Sequence, residues 1–378
     1  MKKAVLLVAI VFLFILIFLS TPLLLKYILT GYKAETLSIE AIRYTILAYI
    51  FIRFLCIVGC GYLFVRWFRR IDLARFKLLK MACYNLFMIL LLLEGIFTLV
   101  PYNNNAFSLS RLNWIGYYWT PTNELGYRDI ELETEGVKDK KIIICLGDSY
   151  TAGLGINNAE DRYSNLLSKK LPDDYKVFNL GVPAANTQDE FENLKNFPVK
   201  PDIIVLQHCQ NDLDDLLADK RLQYQSESSI QLALQKFIYF SYFINYVHSV
   251  ISPPVSDSTY ERYGEYLENI YGDETIMNKL YVVFDEIVSY CDGNNIKLVV
   301  VLYPLLGMND KYYDYSYIYT NPIENYFNNK NIAVLNITPL LKKIPVSQRV
   351  VSASDYHPNE LVNEIIAENL LPIVLEME

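Results

Sequence analysis

The pattern of apolar and polar positions changes character partway along the 378-residue chain. Up to Pro101 the apolar residues run in long uncharged blocks, and beyond Lys140 they break into short runs separated by amphipathic stretches. The first block, Ala4 to Leu25, follows Lys2 and Lys3 and exceeds the roughly 20 residues that cross a bilayer core as a helix. It is too long for a signal-peptide core of about 7–15 residues and has no small-x-small cleavage site close behind it, so a retained anchor is expected. Two further blocks, about Tyr44 to Val65 and about Met81 to Val100, are interrupted only by Arg53 and Glu94. Three membrane spans are predicted, with Arg53 and Glu94 pairing or snorkelling near span ends, and the lining of a polar path as the alternative.

From Lys140 onward the short β-branched runs predict strands at Lys141 to Leu146, Lys176 to Leu180, Asp202 to Gln207, Lys297 to Tyr303 and Ala333 to Ile337. Between and after them, helical periodicity predicts Asp161 to Leu171, Thr187 to Phe197, Thr275 to Cys291 and Pro358 to Glu376, with Pro358 in the first turn of the last. Strand and helix in alternation mean an α/β domain with a parallel five-stranded sheet covered on both faces. Ligands of such sheets bind outside the carboxyl ends of the strands, where chemistry is to be sought.

Charge sharpens the division. Residues 1–101 carry 12 Lys/Arg against 4 Asp/Glu, whereas the remainder carries 22 against 38, for a net charge of −8 over the chain. An acidic second half excludes nucleic acid as a partner, because phosphate binding needs the opposite sign. Arg66, Arg69, Arg70, Arg75, Lys77 and Lys80 concentrate between the second and third blocks, which puts that loop and the N-terminus in the cytoplasm. The expected organisation is therefore a transmembrane region at 1–101, with the lipid bilayer as its surroundings, and an extracytoplasmic domain at 102–378. The cysteines, Cys56, Cys60 and Cys83 in the spans and Cys145, Cys209 and Cys291 beyond, show no zinc-like pairing and allow at most one bridge in the second half. Neither a metal nor a cofactor is expected.

The first strand runs into Gly147-Asp148-Ser149-Tyr150-Thr151-Ala152-Gly153, where a serine in a glycine-flanked turn projects from the sheet edge as a candidate nucleophile. An α/β-hydrolase elbow is a poorer match, since Thr151 stands where its second glycine belongs. Serine needs an imidazole to take its proton, and the chain has only 3 histidines. His357 lies after the last strand in Ser354-Asp355-Tyr356-His357-Pro358-Asn359. In extended chain, residues two apart point the same way, so Asp355 can orient its ring. His208 and His248 read as structural, and Asp148 and Asp212 as loop braces. The third strand ends before Asn211, whose amide can donate to an oxyanion, and the turn Asn179-Leu-Gly-Val-Pro-Ala-Ala-Asn-Thr187 can present backbone N–H groups to the same oxygen.

These four segments, in this order, resemble those of the SGNH (GDSL-type) hydrolase family from about Leu125 to the C-terminus, and Asn123-Glu-Leu-Gly-Tyr-Arg-Asp129 resembles a lead-in common in bacterial members. The resemblance implies a flavodoxin-like three-layer α/β/α fold with ester hydrolysis or acyl transfer at a Ser-His-Asp site. Carried across by position, Ser149 resembles the nucleophile and Asp355 and His357 the other triad members. The resemblance further implies an oxyanion hole from Ser149, Gly181, Ala184 and Asn211, Ala184 standing where a glycine is usual. Cys209 also replaces a glycine, and the commoner acid spacing would fall on Ser354 rather than Asp355.

The expected function is a membrane-anchored serine esterase acting through an acyl-enzyme on an ester-bearing substrate, such as O-acetyl groups of a cell-envelope or exported glycan, or a lipid-linked ester. One alternative is an O-acyltransferase using the same acyl-enzyme with a membrane acyltransferase partner as acyl donor, and another is a non-catalytic binding protein of the same fold. The aromatic segment Ile230 to Ile251 is expected to pack against the sheet or the spans, with a lipid-facing lid as the alternative. Tyr312, Tyr313, Tyr315, Tyr317 and Tyr319 read as a loop or strand-like surface able to stack on sugars.

Overall fold

The computed structural model describes residues 4–13, 39–70, 77–100, 109–133, 137–210, 241–251, 255–353 and 355–377. They fall into two compact units, one holding the described residues up to Trp119 together with 241–251, the other those from Thr120 to 210 and from 255 onward.

In the first unit, the second and third apolar blocks form helices Ile39–Phe68 and Lys77–Leu99. Within them, Arg43–Phe68 and Lys77–Leu99, 26 and 23 residues, are long and apolar enough to cross a membrane. The first block is helical over Ala4–Leu13, and its remainder lies outside the described residues. Arg53 and Glu94 are buried and joined, Nη2 to Oε1, at 2.6 Å. Glu94 does more than pair: its carboxylate accepts from Ser241 Oγ at 2.5 Å, Tyr242 N at 3.0 Å and Phe243 N at 3.2 Å. Those donors open helix Tyr242–Ile251, whose first N–H groups have no partner within the helix. Tyr242 OH donates to Asn113 Oδ1 at 2.8 Å, and Phe97 stacks on Tyr246 at 4.4 Å. The described end of the aromatic segment thus packs on the apolar helices; its residues 230–240 lie outside the described ones.

In the second unit, β1 (Lys141–Gly147), β2 (Tyr175–Gly181), β3 (Ile203–His208), β4 (Lys297–Leu302) and β5 (Ala333–Asn336) form one parallel sheet in the order β2-β1-β3-β4-β5. Ile142, Ile144 and Leu146 of β1 join a core with helices Thr187–Asn196, Asp257–Tyr271, Glu274–Asn294 and Ser316–Asn328. Ile143 and Cys145 join the opposite core with helices Tyr163–Lys170 and Glu360–Glu376. Successive residues of each strand are buried on alternate faces, which is why the strands read as continuous apolar runs. The result is the flavodoxin-like three-layer α/β/α fold. The strand order reverses at β1, so its carboxyl end opens at the switch point of the sheet.

Several expectations are corrected. Pro358 is not in the last helix: Asp355–Pro358 forms β7, antiparallel to β6 (Val350–Ser352), and Asn359 caps the helix by accepting from Val362 N at 3.2 Å. The tyrosine segment is a 3-10 turn, Tyr313–Tyr315, leading into helix Ser316–Asn328, and Tyr312, Tyr313 and Tyr319 are core residues rather than a sugar-stacking surface. Helix Asp257–Tyr271 was not foreseen. All six cysteines are free thiols.

Candidate active site

The site begins where β1 ends. Gly147 is required there: a Cβ would sit 2.1 Å from Thr151 Oγ1 and 2.3 Å from Gln207 Oε1. Asp148 caps the single turn Ser149–Ala152, accepting from Tyr150 N at 2.8 Å, while its own N–H donates to Gln207 Oε1 at 3.0 Å. Thr151 Oγ1 also reaches Gln207 Oε1, at 3.1 Å. Asp148 is therefore a loop brace, and Gln207, a polar residue inside an apolar strand, is its counterpart on β3.

His357 approaches from the other end of the chain. Its Nε2 lies 2.9 Å from Ser149 Oγ, and its Nδ1 contacts Asp355 Oδ1 on the far side of the ring. Both side chains leave one face of β7, as expected for positions two apart in an extended strand. Asp355 is buried, and its carboxylate also accepts from the His357 N–H at 3.3 Å. Tyr150 packs its ring edge-on against His357 at 5.4 Å and against Tyr303 at 5.0 Å. Burial, then the nearby Cys209 and Asp148, raise the Tyr150 phenol well above its ordinary value, so it remains neutral beside the imidazole.

The turn after β2 sits beside this triplet, since Gly147 and Gly181 are in register. Gly181 allows a close approach that no other residue permits: a Cβ would lie 2.1 Å from Ala152 N. Its N–H donates to Asn179 Oδ1 at 3.0 Å and is therefore committed within the protein. Ala184 has φ +64°, the left-handed conformation that a glycine adopts freely and an alanine does not. Among the described residues, the N–H groups of Ser149 and Ala184 have no hydrogen-bond acceptor.

Asn211, Asp212 and Ser354 lie outside the described residues, as does the side chain of His248. Cys209 is buried, with Sγ 3.5 Å from Asp148 Oδ2, and so belongs to the same bracing cluster. His208 is buried beneath the sheet edge and packs edge-on against Phe284 at 5.4 Å. The sequence reading missed Gln207 and Asn179, although each is a polar residue within a buried strand, a signal that such a group has a bonding role.

The sequence profile of the GDSL-like Lipase/Acylhydrolase family matches residues 145–365. The chain belongs to this family. As a GDSL-type protein it is an enzyme of the ester-bond hydrolase class. Solved structures similar to it include a carbohydrate acetylesterase family member from Sinorhizobium meliloti, 14% identical over 63% of this chain and 98% of that one, with a TM-score of 0.36. A member of the lipolytic protein G-D-S-L family from Veillonella parvula DSM 2008 is 16% identical over 62% and 98%, with a TM-score of 0.37. The inhibitor-bound aryl esterase of M. smegmatis is 14% identical over 63% and 100%, with a TM-score of 0.35. No curated protein matches the chain. The family assignment rests on the profile match.

Proposed function

We propose that the protein is a membrane-anchored serine esterase whose nucleophile is Ser149, with His357 as general base and Asp355 as the residue that orients and stabilises the imidazolium. The observation that carries this reading is the 2.9 Å separation of Ser149 Oγ and His357 Nε2, with Asp355 on the opposite ring nitrogen. Ser149 Oγ attacks the ester carbonyl carbon as its proton passes to His357 Nε2. The oxyanion takes hydrogen bonds from the N–H groups of Ser149 and Ala184 and from the amide of Asn211, three residues beyond β3. Collapse expels the alcohol, which receives the proton from His357, and leaves an acyl-Ser149 ester. Water then attacks that ester with His357 again as base, releasing the acid and restoring Ser149.

The apolar helices hold the enzyme in the bilayer, and the arginine-rich connection after Phe68 faces the cytoplasm. Outward-facing side chains such as Val58, Tyr62 and Leu92, each more than half exposed, support lipid contact for these helices. With the first apolar block as a further span, the esterase unit is extracytoplasmic, and O-acetyl groups of an envelope or exported glycan are the substrate class. The test is acetate release from O-acetylated envelope polysaccharide by the full chain in detergent, alongside fluorophosphonate labelling. Labelling lost in Ser149→Ala together with acetate release is the expected outcome. Labelling at Ser149 without acetate release would redirect the substrate, and labelling that persists in Ser149→Ala would overturn the assignment.

A further inference from the structure

Asn123-Glu-Leu-Gly-Tyr-Arg-Asp129 precedes the matched residues 145–365, and the triad makes no use of it. It closes on itself through Tyr127 N to Asn123 Oδ1 at 3.0 Å and Gly126 N to Asn123 O at 2.9 Å, with Gly126 at φ +89°. This turn drives two charged side chains inward, and Arg128 and Asp129 are 1% and 5% exposed. Burying charge is costly unless each group is hydrogen-bonded, and the partners here are informative.

Arg128 donates to Gly153 O at 2.6 Å, Ile156 O at 2.8 Å and Ala152 O at 3.4 Å. The Ala152 and Gly153 carbonyls close the turn that carries Ser149, where a helix one turn long satisfies few of its own acceptors, and Ile156 O lies in the turn that follows it. Asp129 accepts from Asn179 N at 2.8 Å and pairs with Arg162 Nη2 at 3.4 Å. Arg162 in turn donates to Arg128 O, and Gly153 must be glycine because a Cβ would strike the Arg162 stem at 2.5 Å. Asn179 completes the chain: its amide donates to Thr151 O at 2.7 Å and accepts from Gly181 N at 3.0 Å. A connected set of hydrogen bonds therefore links the carbonyls behind the nucleophile to the carboxyl end of β2, from which the turn to Ala184 leaves.

We infer that Arg128 and Asp129 are positioning residues, a buried strap that fixes the Ser149 turn against the Gly181–Ala184 turn and so sets the distance between nucleophile and oxyanion donors. This rests on the esterase reading for its consequence in catalysis. Neither residue is bonded to Ser149 Oγ or the imidazole; Arg128 acts through backbone carbonyls, and Asp129 through the Asn179 N–H and the Arg162 guanidinium. Lysine cannot replace Arg128, because one ammonium does not span three carbonyls in the way the guanidinium fork does.

The test compares the full chain in detergent with Arg128→Lys, and with Asp129→Asn should the former fail to fold. The readouts are p-nitrophenyl acetate kinetics per fluorophosphonate-titrated site and hydrogen exchange at 149–156 and 179–185. The expected result is kcat lower by about tenfold to a hundredfold with KM within about twofold, the size of effect that small misplacement of reacting groups produces. Exchange at both turns quickens while β4 is unchanged. A merely structural role would lower the thermal midpoint and leave kcat per titrated site at the wild-type value, which would overturn the inference. If wild type shows no Ser149-dependent turnover, the esterase reading fails, and exchange alone then decides the strap: unchanged protection of the two turns refutes it.

Discussion

Ser149 and His357 stand 208 positions apart in sequence, yet their reactive atoms are 2.9 Å apart. The separation is bridged by the parallel sheet: Ser149 follows its β1, while His357 belongs to the hairpin preceding the final helix. The remaining relationships at the site make distinct demands on substitution.

Asp355 contacts the imidazole nitrogen opposite the serine, and in the proposed mechanism it holds the tautomer able to accept the serine proton. Asp355→Asn is therefore expected to lower kcat by about 10⁴-fold with little change in KM, as for a wrongly oriented imidazole in other triads. Steady-state kinetics check this, and near-wild-type turnover would remove Asp355 from the site.

Gly181, the last residue of β2, and Ala184 in the turn that follows are expected to respond in opposite ways. Ala184 at φ +64° bears a strain of roughly 1–2 kcal/mol, of which glycine's unfolded-state freedom takes back about 0.4–1 kcal/mol, so Ala184→Gly should stabilise by about 0.5 kcal/mol. Gly181→Ala drives a Cβ into the Ala152 backbone and should cost about 1–3 kcal/mol together with most activity. Denaturant unfolding of both variants tests the pair.

How much of this was legible in the sequence follows from where each residue sits. The five strands showed because both faces of a parallel sheet are buried, and Ser149, Asp355 and His357 stood out because so few histidines compete. The alternating tyrosines from 313 to 319 misled because period-two spacing imitates a strand, whereas Tyr319, Ile323 and Phe327 in fact repeat at helical spacing on one buried face. The partners of Gln207 and Arg128, and Asp129 and Thr151 as partners of Asn179, lie far away in sequence, and the strain at Ala184 is a dihedral angle that composition does not carry.

Burial raises the Asp129 carboxyl above its ordinary value, with Arg162 and the Asn179 N–H opposing the shift. The folded state thus holds this proton more tightly than the unfolded chain. Its contribution to stability is greatest below the unfolded-state value and is lost as pH rises through the folded-state value. The stability of wild type relative to Asp129→Asn should therefore grow as pH falls from neutral into that window. Unfolding curves across the acid range check the sign, and a difference that shrinks on acidification contradicts it.

Glu94 joins Arg53 to the start of helix Tyr242–Ile251, so removing it leaves a buried guanidinium and uncapped N–H groups. Glu94→Ala is expected to destabilise the detergent-solubilised protein by about 3–5 kcal/mol, the usual consequence of breaking a buried pair from one side. Thermal unfolding in detergent measures it, and an unchanged midpoint would mean that the network contributes no stability.

The most direct measurement is hydrolysis of p-nitrophenyl esters of increasing chain length by the full chain in detergent, wild type against Ser149→Ala. Turnover by wild type, strongest for acetyl and reduced by at least about 10³-fold in the variant, is the expected result. Equal turnover by both proteins would contradict Ser149 as the nucleophile.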